Sequence, residues 1–106
     1  MTSSPLAEFV RTFNAGRYWE AHEVLEAAWR ENKSEFYHGL ILYASAMVHV
    51  ERGNAHGVTA QLGKAVRALA PYRPGHMGVD VEAIFRDAAA RAERWDRPIP
   101  PLHVDG

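Results

Sequence analysis

The stretch Phe13-Asn-Ala-Gly-Arg-Tyr-Trp-Glu-Ala-His-Glu-Val-Leu-Glu-Ala-Ala-Trp29 decides how the rest of the chain is read. Gly16 interrupts it, because glycine takes the positive φ that ends a helix at little steric cost. Beyond it, Tyr18, Ala21, Leu25, Ala28 and Trp29 recur at helical spacing, with Glu20, Glu23, Ala27 and Arg30 on the opposite side. The pattern predicts an amphipathic helix over 18–31. Upstream, Ser4-Pro5 has the form of an N-cap followed by a first-turn proline. Leu6, Phe9, Val10 and Phe13 then share one face, which predicts a helix over 5–15.

Downstream, Asn32-Lys33 is a short break and Ser34 a good cap. Phe36 to Val50 is apolar almost all round except at His38, Ser45 and His49, so a helix over 34–52 should be the buried centre. Gly53-Asn54 stops it and caps a fourth helix over 55–70, carrying Val58, Leu62, Ala65, Val66 and Leu69 and weakened by Gly57 and Gly63. Pro71 to Gly78 reads as a loop. Asp80 caps a fifth helix over 81–95, with Val79 and Ile84 spaced as a hydrophobic staple. Pro98-Ile-Pro-Pro cannot continue it, and no segment alternates with period two, so no strands are expected.

The expectation is an all-α domain spanning 1–106: a compact five-helix array of two antiparallel hairpins, two-three and four-five, plus an N-terminal helix. Its body covers about 5–95, and a Pro-rich tail covers 97–106. The core should comprise Leu25, Trp29, Leu40, Tyr43, Met47, Leu62, Leu69 and Ile84.

At 106 residues the chain has room for one core, and 47% hydrophobic against 24% charged residues is a globular composition. Five basic and seven acidic residues precede residue 54, and seven and six follow it, so neither half carries the basic excess of a nucleic-acid binder. The chain has no cysteine, which excludes disulfides, thiolate catalysis and Cys-ligated zinc. Met1-Thr-Ser-Ser-Pro-Leu lacks the form of a signal peptide, and His49 breaks the longest apolar run short of the ~20 residues of a membrane span. A cytoplasmic protein without a membrane segment is the expectation.

Sliding the chain by 37 residues places Gly16 on Gly53, Leu25 on Leu62, Ala28 on Ala65 and Ala21 on Val58. The pattern Gly16-x-Tyr18-x-x-Ala21 with Leu25 and Ala28 weakly resembles the first helix of a tetratricopeptide unit, whose period is about 34. Two repeats are fewer than a solenoid needs, so helix one and a second subunit, in a two-fold dimer, are expected to complete the cover.

The string F-N-x-G-x-Y-W-E-A-H-E-x-L-E-x-x-W over Phe13–Trp29 resembles the helical family called domain of unknown function 309. Phe36-Tyr-His-Gly-Leu-Ile41, His49 with Arg52-Gly-Asn54, and Gly78-Val-Asp80 add to the resemblance, which covers about residues 9 to 85. It implies a small compact all-helical domain and brings no assigned reaction, cofactor or substrate.

The polar candidates are Glu20, His22, Glu23, Glu26 and His49. At i and i+4, His22 and Glu26 fall about 40° apart on helix two, so a nitrogen and a carboxylate could meet a metal or move a proton there. The plainer reading pairs Glu26 with His22 and with Arg30. Glu-x-x-His and His-Glu-x-x-His spacings are both absent from this stretch, so no metal is assigned and His22 and Glu26 stand only as candidate ligands. In an antiparallel hairpin of helices two and three, His49 falls about 9 Å along the axis from His22, near Gly16 to Glu20. Two separate networks follow, one of His22 with Glu26 and one of His49 with the Glu20 region. In the same geometry the small Gly39 faces Glu26. His38, Ser45 and His49 form one polar stripe that must find partners if helix three is buried.

Trp19 falls among Glu23, Glu26 and Arg30 on the polar side, so a large ring stands exposed or is covered by a protein partner. The leading reading is a non-enzymatic interaction module without a cofactor, because no nucleophile stands beside a base. A metal-dependent hydrolase built on His22 and Glu26 is the alternative. A nucleic-acid accessory protein comes third, resting on Arg86, Arg91, Arg94 and Arg97, which Glu82, Asp87, Glu93 and Asp96 dilute.

Overall fold

A computed structural model describes residues 4–105. The leader reading at residues 1–3 and the last tail residue, Gly106, lie outside them. The chain forms five helices: α1 (Pro5–Asn14), α2 (Tyr18–Asn32), α3 (Glu35–Glu51), α4 (Ala55–Leu69) and α5 (Val81–Glu93). The all-α architecture is as the caps and spacings predict. Ser4, Ser34, Asn54 and Asp80 each accept a backbone N–H of the first turn that follows.

The two glycine stops are built alike. At Gly16 (φ +83°) the Arg17 amide donates to Thr12 O and the Gly16 amide to Phe13 O. At Gly53 (φ +70°) the Asn54 amide donates to His49 O and the Gly53 amide to Val50 O. Both are Schellman closures, which spend the last free carbonyls of a helix while the chain reverses. The 37-residue shift carries Tyr18–Asn32 onto Ala55–Leu69, the limits of α2 onto those of α4. The related units are therefore α1 with α2 and α3 with α4, each turning on its glycine, and α5 meets α4 over a shorter contact.

Helix α3 is the centre, as expected, and packs against both α2 and α4. Its approach to α4 is the closer one. A Cβ on Gly39 would come within 2.6 Å of Leu69 Cγ, and one on Gly57 within 2.6 Å of the His49 ring. Gly39 thus admits α4, and not α2 at Glu26 as the hairpin geometry suggests. His38, Leu42, Ser45 and His49 recur at four, three and four residues and are all half-buried. The polar stripe is a seam at the edge of the packed surface and meets water, so its groups need no buried partners.

Seven of the eight residues expected in the core are there: Leu25, Leu40, Tyr43, Met47, Leu62, Leu69 and Ile84 are all buried. Trp29 is not. It packs half-buried on the rim, its ring stacked on His38 at 4.7 Å with the Lys33 ammonium 4.7 Å from its centroid. It lies against the seam of α3, where the surface opens.

Two segments differ from expectation. Across 70–80, where 71–78 reads as a loop, the chain makes a 3₁₀ turn (Ala70–Tyr72) and a hairpin of two-residue strands, β1 (Gly75–His76) with β2 (Val79–Asp80). Met77 and Gly78 both take positive φ, +50° and +81°, which is how a two-residue turn matches the strand twist. The tail is not an appendage to a body ending near residue 95. Val104 pairs with Val79, the Asp80 amide donates to His103 O, and the Asp105 amide donates to Gly78 O. Asn14 clamps the tail from the other side, its side chain accepting from Leu102 N at 2.7 Å and donating to Leu102 O at 3.1 Å. Leu102 is buried in the core as a result.

Candidate functional site

The polar residues of α2 lie along its outer face. Trp19 is 52% exposed, and its ring lies flat on that of His22, with centroids 5.0 Å apart and planes 8° from parallel. His22 Nδ1 is 3.4 Å from Glu26 Oε2 without the alignment of a hydrogen bond, and has no hydrogen-bond partner among the described residues. Glu26 Oε1 instead accepts from Arg30 Nη2 at 2.6 Å. With Glu23 and Ala27 these side chains line a shallow groove of about 290 Å³. The rim holds two carboxylates and one guanidinium, set at i, i+3 and i+4 spacings by one helix.

The structure brings together Trp19, His22, Glu23 and Glu26, and leaves Glu20 and His49 elsewhere. Glu20 is exposed and 3.8 Å from Arg17. His49 does not reach the Gly16 to Glu20 segment: its Nδ1 lies 3.2 Å from Asn54 Nδ2, and its ring rests on Gly57. The helix pairing explains the difference. His49 is in the last turn of α3, and the Schellman closure at Gly53 brings the cap of α4 onto it. Its network therefore belongs to the α3–α4 turn. Among the described residues no three His, Asp or Glu side chains converge as metal ligands would.

A second polar centre was not legible in the sequence. Asp87 and Arg91, 2% and 3% exposed, are the buried charged residues of the core. Asp87 Oδ2 accepts from the Tyr43 hydroxyl at 2.7 Å and from Arg91 Nε at 2.9 Å, and Oδ1 accepts from Arg97 Nη1 at 2.5 Å. Arg91 spends its other donors on the carbonyls of Trp95, Arg97 and Pro98 at 2.7, 2.8 and 3.3 Å. The pair thus anchors the end of α5 and the start of the tail to α3. Burial and the adjacent Asp87 carboxylate push the Tyr43 phenol well above its ordinary range, so it stays a neutral donor. Its ring stacks on Phe13 at 5.6 Å, which ties the network to the motif stretch.

This centre changes the meaning of the arginine series. Arg91 is turned into the core and Arg97 onto Asp87, while Arg86 and Arg94 remain at the surface, 3.7 Å from Asp80 and 3.6 Å from Asp96. The charges do not form a stripe facing a phosphate backbone. The sequence signal is the i, i+4 spacing of Asp87 and Arg91 across Ala88 to Ala90. In the sequence Asp87 counts only as dilution of the arginine series, because the tail that buries it is distant in the pattern.

The motif stretch divides accordingly. Phe13, Ala21 and Leu25 are core, Asn14 is the tail clamp and Gly16 the turn, whereas Trp19, His22, Glu23 and Glu26 face outward. The fold and this helix face define a small all-helical domain with its polar motif on one surface. The chain belongs to the family described as Domain of unknown function (DUF309), whose model matches residues 6–60, over half of its length. The matched part runs from α1 into the first turns of α4 and contains the whole outer face of α2. No curated protein matches the chain. None of the helices among the described residues is long and apolar enough to cross a membrane.

Proposed function

We propose that this protein is a helical interaction module that performs no chemistry of its own and docks through the outer face of α2, centred on Trp19. The observation that carries the reading is the Trp19 ring, half exposed yet already held flat against His22. A large aromatic group fixed before contact loses little freedom on binding, and tryptophan is favoured at the centres of interfaces for its buried area. The rim carries both signs, Glu23 and Glu26 beside Arg30, as a self-complementary two-fold contact requires. The occupant we assign is a second copy of the chain. A cytoplasmic setting fits such a module, and nucleic acid is not its partner.

The test is sedimentation of the wild type, Trp19→Ala and Arg30→Glu at micromolar to high micromolar concentration. A dimer that both substitutions convert to monomer, with unchanged circular dichroism, is expected. A monomeric wild type removes the dimer, and a dimer indifferent to both substitutions removes this face.

One observation favours the hydrolase as a second reading: His22 Nδ1 stands beside Glu26 in the groove without a hydrogen bond. Thermal melts with zinc, manganese or iron(II) separate the readings. Stabilisation of the wild type that His22→Gln abolishes would put the metal reading first.

A further inference from the structure

We propose that the cavity between α5 and the returning tail binds a small organic carboxylate through Arg86 and Arg97. The cavity holds about 300 Å³, at the small end of ligand sites. Ile84, Pro100, Pro101 and Leu102 give it an apolar wall, and Arg86, Arg97, Asp87, Tyr43 and His103 are the polar groups of its lining.

Counting charges around the cavity gives the sign of the ligand. Asp87 is committed on both oxygens, to Tyr43 and Arg91 on one and to Arg97 on the other. Asp80 caps α5 through Oδ1, and its Oδ2 is 3.7 Å from Arg86, beyond hydrogen-bond length. Arg86, Arg91, Arg97 and the Glu82-paired Arg73 against Asp80, Glu82 and Asp87 leave one positive charge in excess. Arg91 is buried with its donors spent, so the excess faces the cavity through Arg86 and Arg97.

The geometry of Arg97 narrows the class. It gives one nitrogen to Asp87, its side chain is 35% exposed, and its Nε and Nη2 make no hydrogen bond among the described residues. Arg91 also holds its backbone carbonyl at 2.8 Å. The guanidinium is thereby held at Nη1 and its backbone at the carbonyl, and the planar Nε and Nη2 donors are left over, the pair that takes a carboxylate bidentately. A surplus of one charge matches a monoanion, and the proline and isoleucine wall matches a flat or branched apolar body. Free phosphate would bring a second charge and nothing for that wall.

Titration calorimetry of the full chain with benzoate, and with benzamide and inorganic phosphate as comparisons, tests the assignment. Benzoate should bind one to one; benzamide should bind about tenfold or more weakly, since a lost charge-assisted hydrogen bond is worth roughly that factor, and phosphate also more weakly, since it buries nothing against the apolar wall. Arg86→Gln and Arg97→Lys should each weaken benzoate by about tenfold to a hundredfold. Arg86 makes no hydrogen bond within the fold among the described residues, so its variant also keeps the wild-type melting curve. Amide resonances of Ala83, Arg86 and His103 should shift on binding, and Trp19→Ala should change none of this, because the α2 face is separate. Absence of binding at millimolar benzoate would overturn the proposal. So would equal binding of benzamide or phosphate, or benzoate affinity that both arginine variants leave intact.

Discussion

Replacing Asp87 by Asn changes almost no volume and removes one negative charge from the core. In the native chain that carboxylate accepts three hydrogen bonds, from Tyr43, Arg91 and Arg97. An asparagine oxygen at the Oδ2 position still accepts from Tyr43 and Arg91, but its amide then confronts the Arg97 donor. Arg97 is partly exposed and can turn to water, whereas Arg91, with a side chain 1% exposed, cannot. The substitution therefore leaves a buried guanidinium without its counter-charge, which costs about 3 to 5 kcal/mol. The surviving acceptor places the expected loss near the lower end of that span. Against a typical domain stability of about 5 to 15 kcal/mol, this is a large fraction. Urea unfolding at neutral pH, followed by tryptophan fluorescence, measures it. Tyr43→Phe alone should cost about 1.5 to 3 kcal/mol, as a hydrogen bond to a charged group does. The two losses should also fall short of additive by about 0.5 kcal/mol or more, because the groups touch. A loss below about 1 kcal/mol for Asp87→Asn, or strict additivity, would refute the reading of this pair as the anchor of α5 and the tail.

Tyr43 also sets an alkaline limit. Its phenol keeps its proton in the folded chain above the ordinary 10.0, so the unfolded chain binds fewer protons there and stability falls as pH rises past about 10. Tyr43→Phe should flatten that fall, leaving the smaller contribution of Tyr18, which is shifted in the same direction. Gly39→Ala should destabilise by about 1 to 3 kcal/mol, because its Cβ would press on Leu69 at 2.6 Å, and thermal melts should reveal the loss. Leu40→Ala should cost about 2 to 5 kcal/mol, and a cost near zero would place this face of α3 outside the core. Asn14→Ala leaves both backbone groups of Leu102 without their clamp and should cost about 1 to 3 kcal/mol, with faster amide exchange at Asp80 and Asp105.

What the sequence determined by itself was local. Caps, glycine stops and the period of the apolar residues place the five helices within a residue or two, because first-turn donors and positive-φ positions are satisfied by neighbours in the chain. The exposure of Trp19, the closeness of His22 to Glu26 and the pairing of Glu26 with Arg30 are legible for the same reason, since all lie on one helix at fixed angles. The β-hairpin at Gly75–Asp80 leaves no mark in the sequence, because two-residue strands show no period and Met77-Gly78 is not a strong turn signal. Tertiary structure alone decided which helix each glycine admits, and so moved His49 from the neighbourhood of Glu20 to the cap of α4. It also decided the fate of the tail, whose Leu102 reaches Asn14 across 88 residues of chain. Asp87 and Arg91 carry the same i, i+4 spacing as a surface pair, and only the fold of residues 97–105 over them turns that pair into the buried centre of the molecule. Spacing fixes direction around a helix, but burial depends on what the rest of the chain lays against that direction.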